Sequence, residues 1–302
     1  MKGEADYRID RRAVRRAFAR AAATYDAHAV LQREVADRLL ERLDWLPGLD
    51  PERVLDAGCG TGAVARRLQS RYRRARVYGV DLAEPMLVRA RALTPPRRPW
   101  RRVPSWLAGD VEALPFPDAC FDLLVSNLTL QWCLPPDAAL AEFRRVTRPD
   151  GLLFFTTFGP ESLRELREAW ATVDARPHVS RFPDVQAVGD ALLAAGWSDP
   201  VVDRDLVRLA YPDLRTLLGD LRGLGATNAT LGRPRGLTGR RAWSRFEAAC
   251  ERFRDDEGRL VVTWEVIHGH GVAGAAPRAC ATGHTGAEIP VQLFDNRGRT
   301  RS

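Results

Sequence analysis

Val54-Leu55-Asp56-Ala57-Gly58-Cys59-Gly60-Thr61-Gly62 is the stretch on which the reading of this chain turns. A short apolar strand, Val54–Asp56, runs straight into a glycine-rich turn, and a helical pattern follows over Ala63–Gln69. Glycine lacks a Cβ, so a ligand can lie against the main chain there. The N-terminus of the next helix offers unpaired N–H groups to a carboxylate or phosphate. The spacing is G-x-G-x-G, which differs from the G-x-G-x-x-G of the dinucleotide fingerprint. By itself such a loop is a turn more often than a ligand site; set between a strand and a helix, it points to nucleotide-type binding.

Outward from the loop, apolar strands alternate with helical segments. The strands are Arg76–Asp81, Trp106–Gly109, Phe121–Ser126 and Leu152–Thr157, with helices near Pro85–Leu93 and Asp137–Thr147 between them. That alternation predicts an α/β fold with a parallel sheet covered on both faces. Asp81 ends the second strand about 20 residues past the glycines, the place of a carboxylate that accepts from a ribose diol. Gly109-Asp110-Val111 ends the third, where an acceptor and a backbone N–H can address an adenine edge. All three sites lie at the carboxyl ends of neighbouring strands, the usual ligand crevice of open sheets.

The flanks add helices and two further strands. Apolar residues Val14, Phe18, Ala21 and Tyr25, then Leu31, Val35, Leu39 and Leu43, make 11–46 helical, with a break near Asp26. Helical patterns at 161–174 and 184–195 precede strands at Val201–Tyr211 and Leu260–His268. The arginine-rich 212–258 between them reads as a helical insertion or lid. The division expected is therefore a cap at 1–46, a main domain at 47–272 and a poorly ordered tail at 273–302.

Composition narrows the class. The chain has 302 residues, with 46 Lys+Arg against 39 Asp+Glu, a formal charge of +7; 45% hydrophobic residues exclude wholesale disorder. Lys2 is the single lysine, so the basic character is almost all arginine and selects no partner by itself. No long unbroken basic run or aromatic-interleaved nucleic-acid motif marks a nucleic-acid binder, and no stretch reaches the ~18 apolar residues of a membrane span. Five dispersed cysteines without a C-x-x-C pair argue against a zinc site and a disulfide framework. The five histidines show no metal spacing. No metal, nucleic acid or membrane is expected, and the N-terminus is no secretory signal, which points to the cytoplasm.

The glycine loop, with Leu114-Pro115-Phe116-Pro117-Asp118 and Phe121-Asp122, resembles the class I S-adenosylmethionine (SAM) methyltransferases over about 50–160. That resemblance implies a Rossmann-like, seven-stranded, mostly parallel sheet whose last strand is antiparallel. It implies SAM as cofactor, with Asp56, Gly58, Cys59, Gly60, Thr61 and Gly62 around the methionine part. Asp81 would hold the ribose, Leu82 and Met86 would line the adenine pocket, and Asp110 and Val111 would contact adenine, with Asn127 also at the site.

A longer resemblance covers most of 14–272. It is carried by Phe18 to Asp26, by Ser126-Asn127-Leu128-Thr129-Leu130-Gln131-Trp132-Cys133, by Leu221 to Asn228 and by Thr263 to His270. These stretches look like the malonyl-[acyl-carrier protein] O-methyltransferases of biotin synthesis. The implied reaction moves the SAM methyl to the free carboxylate of a malonyl thioester on acyl-carrier protein or coenzyme A. No catalytic acid or base is expected, because a carboxylate is already ionised at neutral pH. Tyr25, Gln32, Gln131, Trp132, Arg222 and Asn228 are the substrate-site candidates. Arg233, Arg235, Arg240, Arg241 and Arg245 form a possible docking cluster for an acidic carrier. The alternatives are a SAM methyltransferase of another small acid or quinone-type ring, and a non-methylating respiratory-complex assembly factor on the same fold.

Overall fold

The computed structural model describes residues 7–274 except 97, 99, 101 and 235. Seven strands, β1 (Arg53–Ala57), β2 (Arg76–Asp81), β3 (Ser105–Ala108), β4 (Phe121–Ser126), β5 (Thr147–Phe158), β6 (Trp197–Tyr211) and β7 (Leu260–Ala273), form one sheet. Its order is β3-β2-β1-β4-β5-β7-β6. The pairs from β3 through β5 are parallel, and β7 runs antiparallel to both β5 and β6. This is the predicted mostly parallel sheet with an antiparallel last strand. Strand order reverses between β1 and β4, which opens a crevice at their carboxyl ends.

The central strands are mostly apolar because both faces are covered, and their buried polar residues, Asp56, Asp122 and Ser126, are hydrogen-bonded to the main chain. All six residues of β4 are buried. Leu55 and Ala57 pack into one core with Leu124, Phe143 and Phe155, whereas Val54 joins Leu68, Leu123 and Val125 on the other side. A strand buried on both faces cannot alternate polar and apolar residues, so the continuous runs seen in the sequence follow.

The N-terminal segment forms α1 (Arg11–Ala21), α2 (Tyr25–His28) and α3 (Val30–Glu41), then a 3-10 turn at Arg42–Trp45. Asp10 caps α1 by accepting from the Ala13 N–H at 3.0 Å. The single break expected near Asp26 is two breaks that flank the four-residue α2. Leu31, Val35 and Leu39 of α3 are buried, the stripe the spacing predicts. The helices that cover the sheet are α4 (Ala63–Arg71), α5 (Glu84–Ala92), α6 (Asp137–Val146), α7 (Arg164–Ala171) and α8 (Val185–Ala194). Between β6 and β7 lie α9 (Leu214–Gly223) and α10 (Arg240–Cys250), joined by an irregular segment. Leu217, Leu221 and Phe246 from these helices share a core with Phe158, Leu166 and Trp264. His28 on α2 meets Asp220 on α9 at 2.8 Å, so the first helices touch the insertion directly.

The late strands are longer than their apolar patterns suggest. β7 continues past His268 because Leu152–Phe158 of β5 pairs with Val272–Val266, and Ala273 pairs with Trp197 of β6. Ala273, placed by its composition in a disordered tail, is a fully buried strand residue. The tail beyond 274 lies outside the described residues, as do Cys280 and His284. Among the described residues no helix is long and apolar enough to cross a membrane, and no group of three or more His, Cys, Asp or Glu is placed to hold a metal ion.

Candidate functional site

The glycine loop leaves β1 with three residues at positive φ, Gly58 (78°), Gly60 (52°) and Gly62 (79°), and they are glycine for different reasons. A Cβ on Gly58 would lie 2.1 Å from Thr129 Oγ1, and one on Gly62 would lie 2.2 Å from the Trp106 ring. A Cβ on Gly60 would meet nothing within 4 Å. Gly60 therefore presents its main chain to an open cleft, and Gly62 is small to admit Trp106 from β3. Asp81 at the end of β2 clamps the turn: its Oδ2 accepts from Gly60 N–H and its Oδ1 from Ala83 N–H, both at 2.8 Å. One lone pair on each oxygen remains for a diol.

Asp56 sits under the loop, 1% exposed, and accepts from Ala65 N–H at 2.9 Å in the first turn of α4. Burial pushes its carboxyl up to about 7; the Ala65 hydrogen bond opposes this and the nearby Asp81 charge adds to it. Burial also raises Asp81, against the pull of its two backbone hydrogen bonds, and holds the Cys59 thiol well above its ordinary range.

Two adjoining clefts meet at this loop. One of about 700 Å³ is walled by Arg11, Phe18, Leu82, Asp110, Val111 and Thr129. The other, about 960 Å³, takes in Gln32, Asp56, Cys59 and Thr61. Tyr25, Gly58, Gly60 and Asn127 border both. The fit to SAM is good on the residues themselves. An apolar slot at Leu82 and Val111 ends at Asp110, a carboxylate stands mid-cleft, and bare main chain and acidic side chains face the far end. Asn127 is held in place, donating to the Gln32 carbonyl at 3.1 Å and accepting from Thr156 Oγ1 at 2.9 Å. The Tyr25 hydroxyl is pushed up by burial and by the surrounding Asp81, Asp26 and Asp56 carboxylates.

Two expected cofactor residues stand elsewhere. Met86 is fully buried with Ala21, Ala22 and Ala83, packed behind Phe18 and Tyr25, so it supports the cleft wall instead of lining it. Gly62 serves the packing of Trp106.

The cap closes the clefts through contacts with no local sequence signal. Arg11 of α1 bonds Asp110 at 2.6 Å and also pairs with Glu112, bridging about a hundred residues to the loop after β3. Asp26 of α2 accepts from Thr61 Oγ1 at 2.7 Å, which pins the cap to the glycine loop. Arg11, Phe18, Asp26 and Thr129 were all missed as site residues. Each lies far in sequence from the loop it meets, and a lone arginine or threonine carries no pattern.

A third cavity of about 890 Å³ opens beyond Trp132, between β7, α7 and α9, and its walls are largely aromatic and aliphatic. Gln131, Trp132, Arg222 and Asn228 all border it. Trp132 borders the cleft of Arg11 and Asp81 as well, so the two spaces share this side chain. Gln131 donates to the Leu128 carbonyl at 2.7 Å, and its buried Oε1 has no partner. Trp264, another wall residue not anticipated as a site residue, buries an unpartnered Nε1. Arg222 is exposed and forms no ion pair or side-chain hydrogen bond among the described residues. Asn228 departs from its expected role. Its amide donates to the Pro177 carbonyl at 2.6 Å and accepts from Thr230, so it builds the wall and has little left for a ligand. Tyr25 and Gln32, also substrate candidates, stand at the loop clefts and not in this chamber.

This sheet order, with a cleft at its switch point and a second chamber beside it, defines a class I SAM-dependent methyltransferase. A family model described as "Methyltransferase domain" matches residues 55–155. The YcgJ protein of Bacillus subtilis superposes with a TM-score of 0.55 at 17% identity, covering 79% of this chain and 98% of that one, which speaks for the fold. Among curated relatives, a malonyl-[acyl-carrier protein] O-methyltransferase of Halorhodospira halophila is 49% identical over 296 residues, 97% of each chain. One of Laribacter hongkongensis is 49% identical over 265 residues, 86% of this chain and 89% of its own. The chain belongs to the malonyl-[acyl-carrier protein] O-methyltransferase family.

Proposed function

We propose that the chain methylates the free carboxylate of a malonyl group carried as a thioester on acyl-carrier protein, an early step of biotin synthesis carried out in the cytoplasm. The observation that carries this reading is the position of Trp132, which borders both the cofactor cleft and an apolar chamber with an unpaired Arg222 at its edge. SAM supplies an electrophilic methyl on a sulfonium, and transfer to a carboxylate neutralises one positive and one negative charge. A transfer that removes charge is favoured where water is excluded, and the apolar walls at Trp132 and Phe158 supply such surroundings. Arg222 supplies a cation to draw an acidic acyl group to a mouth that is otherwise apolar. Since the acceptor is ionised at neutral pH, no side chain is assigned as acid or base; positioning carries the rate. In this reading the 1–46 helices act as the cap, and 212–258 acts as the lid over the substrate chamber.

The test is the intact mass of malonyl-loaded carrier after incubation with SAM and the enzyme. A gain of one methylene on malonyl carrier, absent with an acetyl-loaded carrier, is expected. No gain, with SAM bound, refutes the reading. In the same assay Arg222→Ala should raise KM for the carrier about tenfold with SAM affinity unchanged. An unaltered KM and unaltered turnover together would remove Arg222 from the substrate site.

A further inference from the structure

The outer face of α1 carries Arg12, Arg15, Arg16 and Arg20, all exposed, on a helix that contains no acidic residue. None of the four makes a side-chain hydrogen bond or ion pair among the described residues. Arg12, Arg16 and Arg20 recur at steps of four and so share one stripe, about 12 Å long at the rise of an α-helix. Like charges at this spacing repel one another, so the stripe is electrostatically unsatisfied in the isolated chain. The arginine cluster at 233–245 is different. Arg233 pairs with Asp10 at 3.0 Å and donates to the Thr230 carbonyl, and Arg245 donates to the Thr172 carbonyl. Only Arg240 and Arg241 of its described members are free.

The opposite, buried face of α1 packs against the wall of the substrate chamber. The segment that borders α1 meets Arg8 and Asp10 at 229–231 through backbone hydrogen bonds and approaches Ala17 and Ala21 at Gly225. Ala226, Thr227 and Asn228 of the same segment wall the chamber. The chamber wall is therefore packed against the inner face of α1, the helix whose outer face carries the stripe, and Arg222 lies just before that segment.

We infer that the outer face of α1 is the docking surface for an acidic protein partner, the acyl-carrier protein that brings the malonyl thioester. This rests on the reading given under Proposed function. A carrier seated there can deliver its flexible arm past Arg222 while its acidic surface satisfies the stripe. Electrostatic docking of this kind acts on association, so it should appear in KM and in salt dependence more than in kcat.

The experiment compares the wild type, Arg15→Glu/Arg16→Glu/Arg20→Glu and a control, Arg73→Glu/Arg74→Glu, which changes two exposed arginines after α4. Each is assayed with malonyl-carrier and with the malonyl thioester of N-acetylcysteamine, and direct binding of holo-carrier is measured by calorimetry. The α1 variant should lose about tenfold in carrier affinity and kcat/KM. It should keep turnover of the small thioester, and lose the salt dependence the wild type shows between about 50 and 300 mM. The control should match the wild type. Arg15→Gln/Arg16→Gln/Arg20→Gln, checked by circular dichroism, guards against a folding defect and should show a smaller loss in the same direction.

Unchanged carrier binding in the α1 variant overturns the inference, as does an equal loss on the small thioester, which would place the stripe in cofactor capping. Tighter wild-type binding to a random DNA duplex than to holo-carrier overturns it too, making the stripe a nucleic-acid surface. If the wild type methylates neither thioester, the reaction assigned above fails, and the calorimetric comparison still decides the docking surface.

Discussion

Asp56→Asn should make the protein's stability less sensitive to pH on the alkaline side. The Asp56 carboxyl is 1% exposed, and burial raises its pKa from 3.8 to about 7. The folded state thus prefers the protonated form, while the unfolded chain ionises near its ordinary value. Between these two values the native state binds more protons than the unfolded state, so stability falls as pH rises. The contribution is complete below about pH 4 and is lost through pH 7. At 1.36 kcal/mol per unit, the full penalty is about 4 kcal/mol, of which about 2.5 kcal/mol falls between pH 5 and pH 8. Asparagine cannot ionise and keeps an oxygen for the Ala65 N–H. Urea denaturation of both proteins at pH 5, 6, 7 and 8 measures the effect, with the wild-type curve set against the variant's to cancel titrations common to both. The variant should gain about 2.5 kcal/mol relative to the wild type across that range. A difference that stays constant with pH would refute the argument that burial, and not hydrogen bonding, governs Asp56.

Three further substitutions test the packing of the cleft. Gly62→Ala puts a methyl against Trp106 at a residue with φ of 79° and should cost about 3 kcal/mol in urea unfolding; a neutral result would mean that Trp106 moves freely. Met86→Ala should destabilise by about 2–5 kcal/mol, with SAM affinity reduced only through a loosened cap, and calorimetry showing a specific loss of SAM without destabilisation would return Met86 to the adenine wall. Arg11→Ala frees Asp110 and Glu112 from α1; since Arg11 is 44% exposed, stability should change by less than about 1 kcal/mol. SAM dissociation should nevertheless strengthen about fivefold as the cap loosens, and an unchanged dissociation constant would show that the cap closes without this pair.

The α/β order, the glycine loop and the acidic ends of β2 and β3 are legible in the residues alone. These are local features: a strand buried on both faces must be mostly apolar, as in Phe121-Asp122-Leu123-Leu124-Val125, and a tight turn under positive φ calls for glycine. Lengths were less legible. Trp197–Ser198 and Gly269–Ala273 are held in strands by their partners on β5, β6 and β7, and their own alternation does not announce it. What each conspicuous residue packs against or bonds emerges only when the chain is folded. Gly62 yields to Trp106, Met86 holds up the cap from behind, and the Asn228 amide is spent on Pro177 and Thr230. Arg11, unremarkable in sequence, and Asp26, read there only as a helix break and part of a signature, become the clasps that join the cap to the cleft. The reason is physical: periodicity and turn chemistry act between neighbours along the chain, whereas a side chain's remaining hydrogen-bond capacity and exposure depend on what packs against it from a hundred residues away.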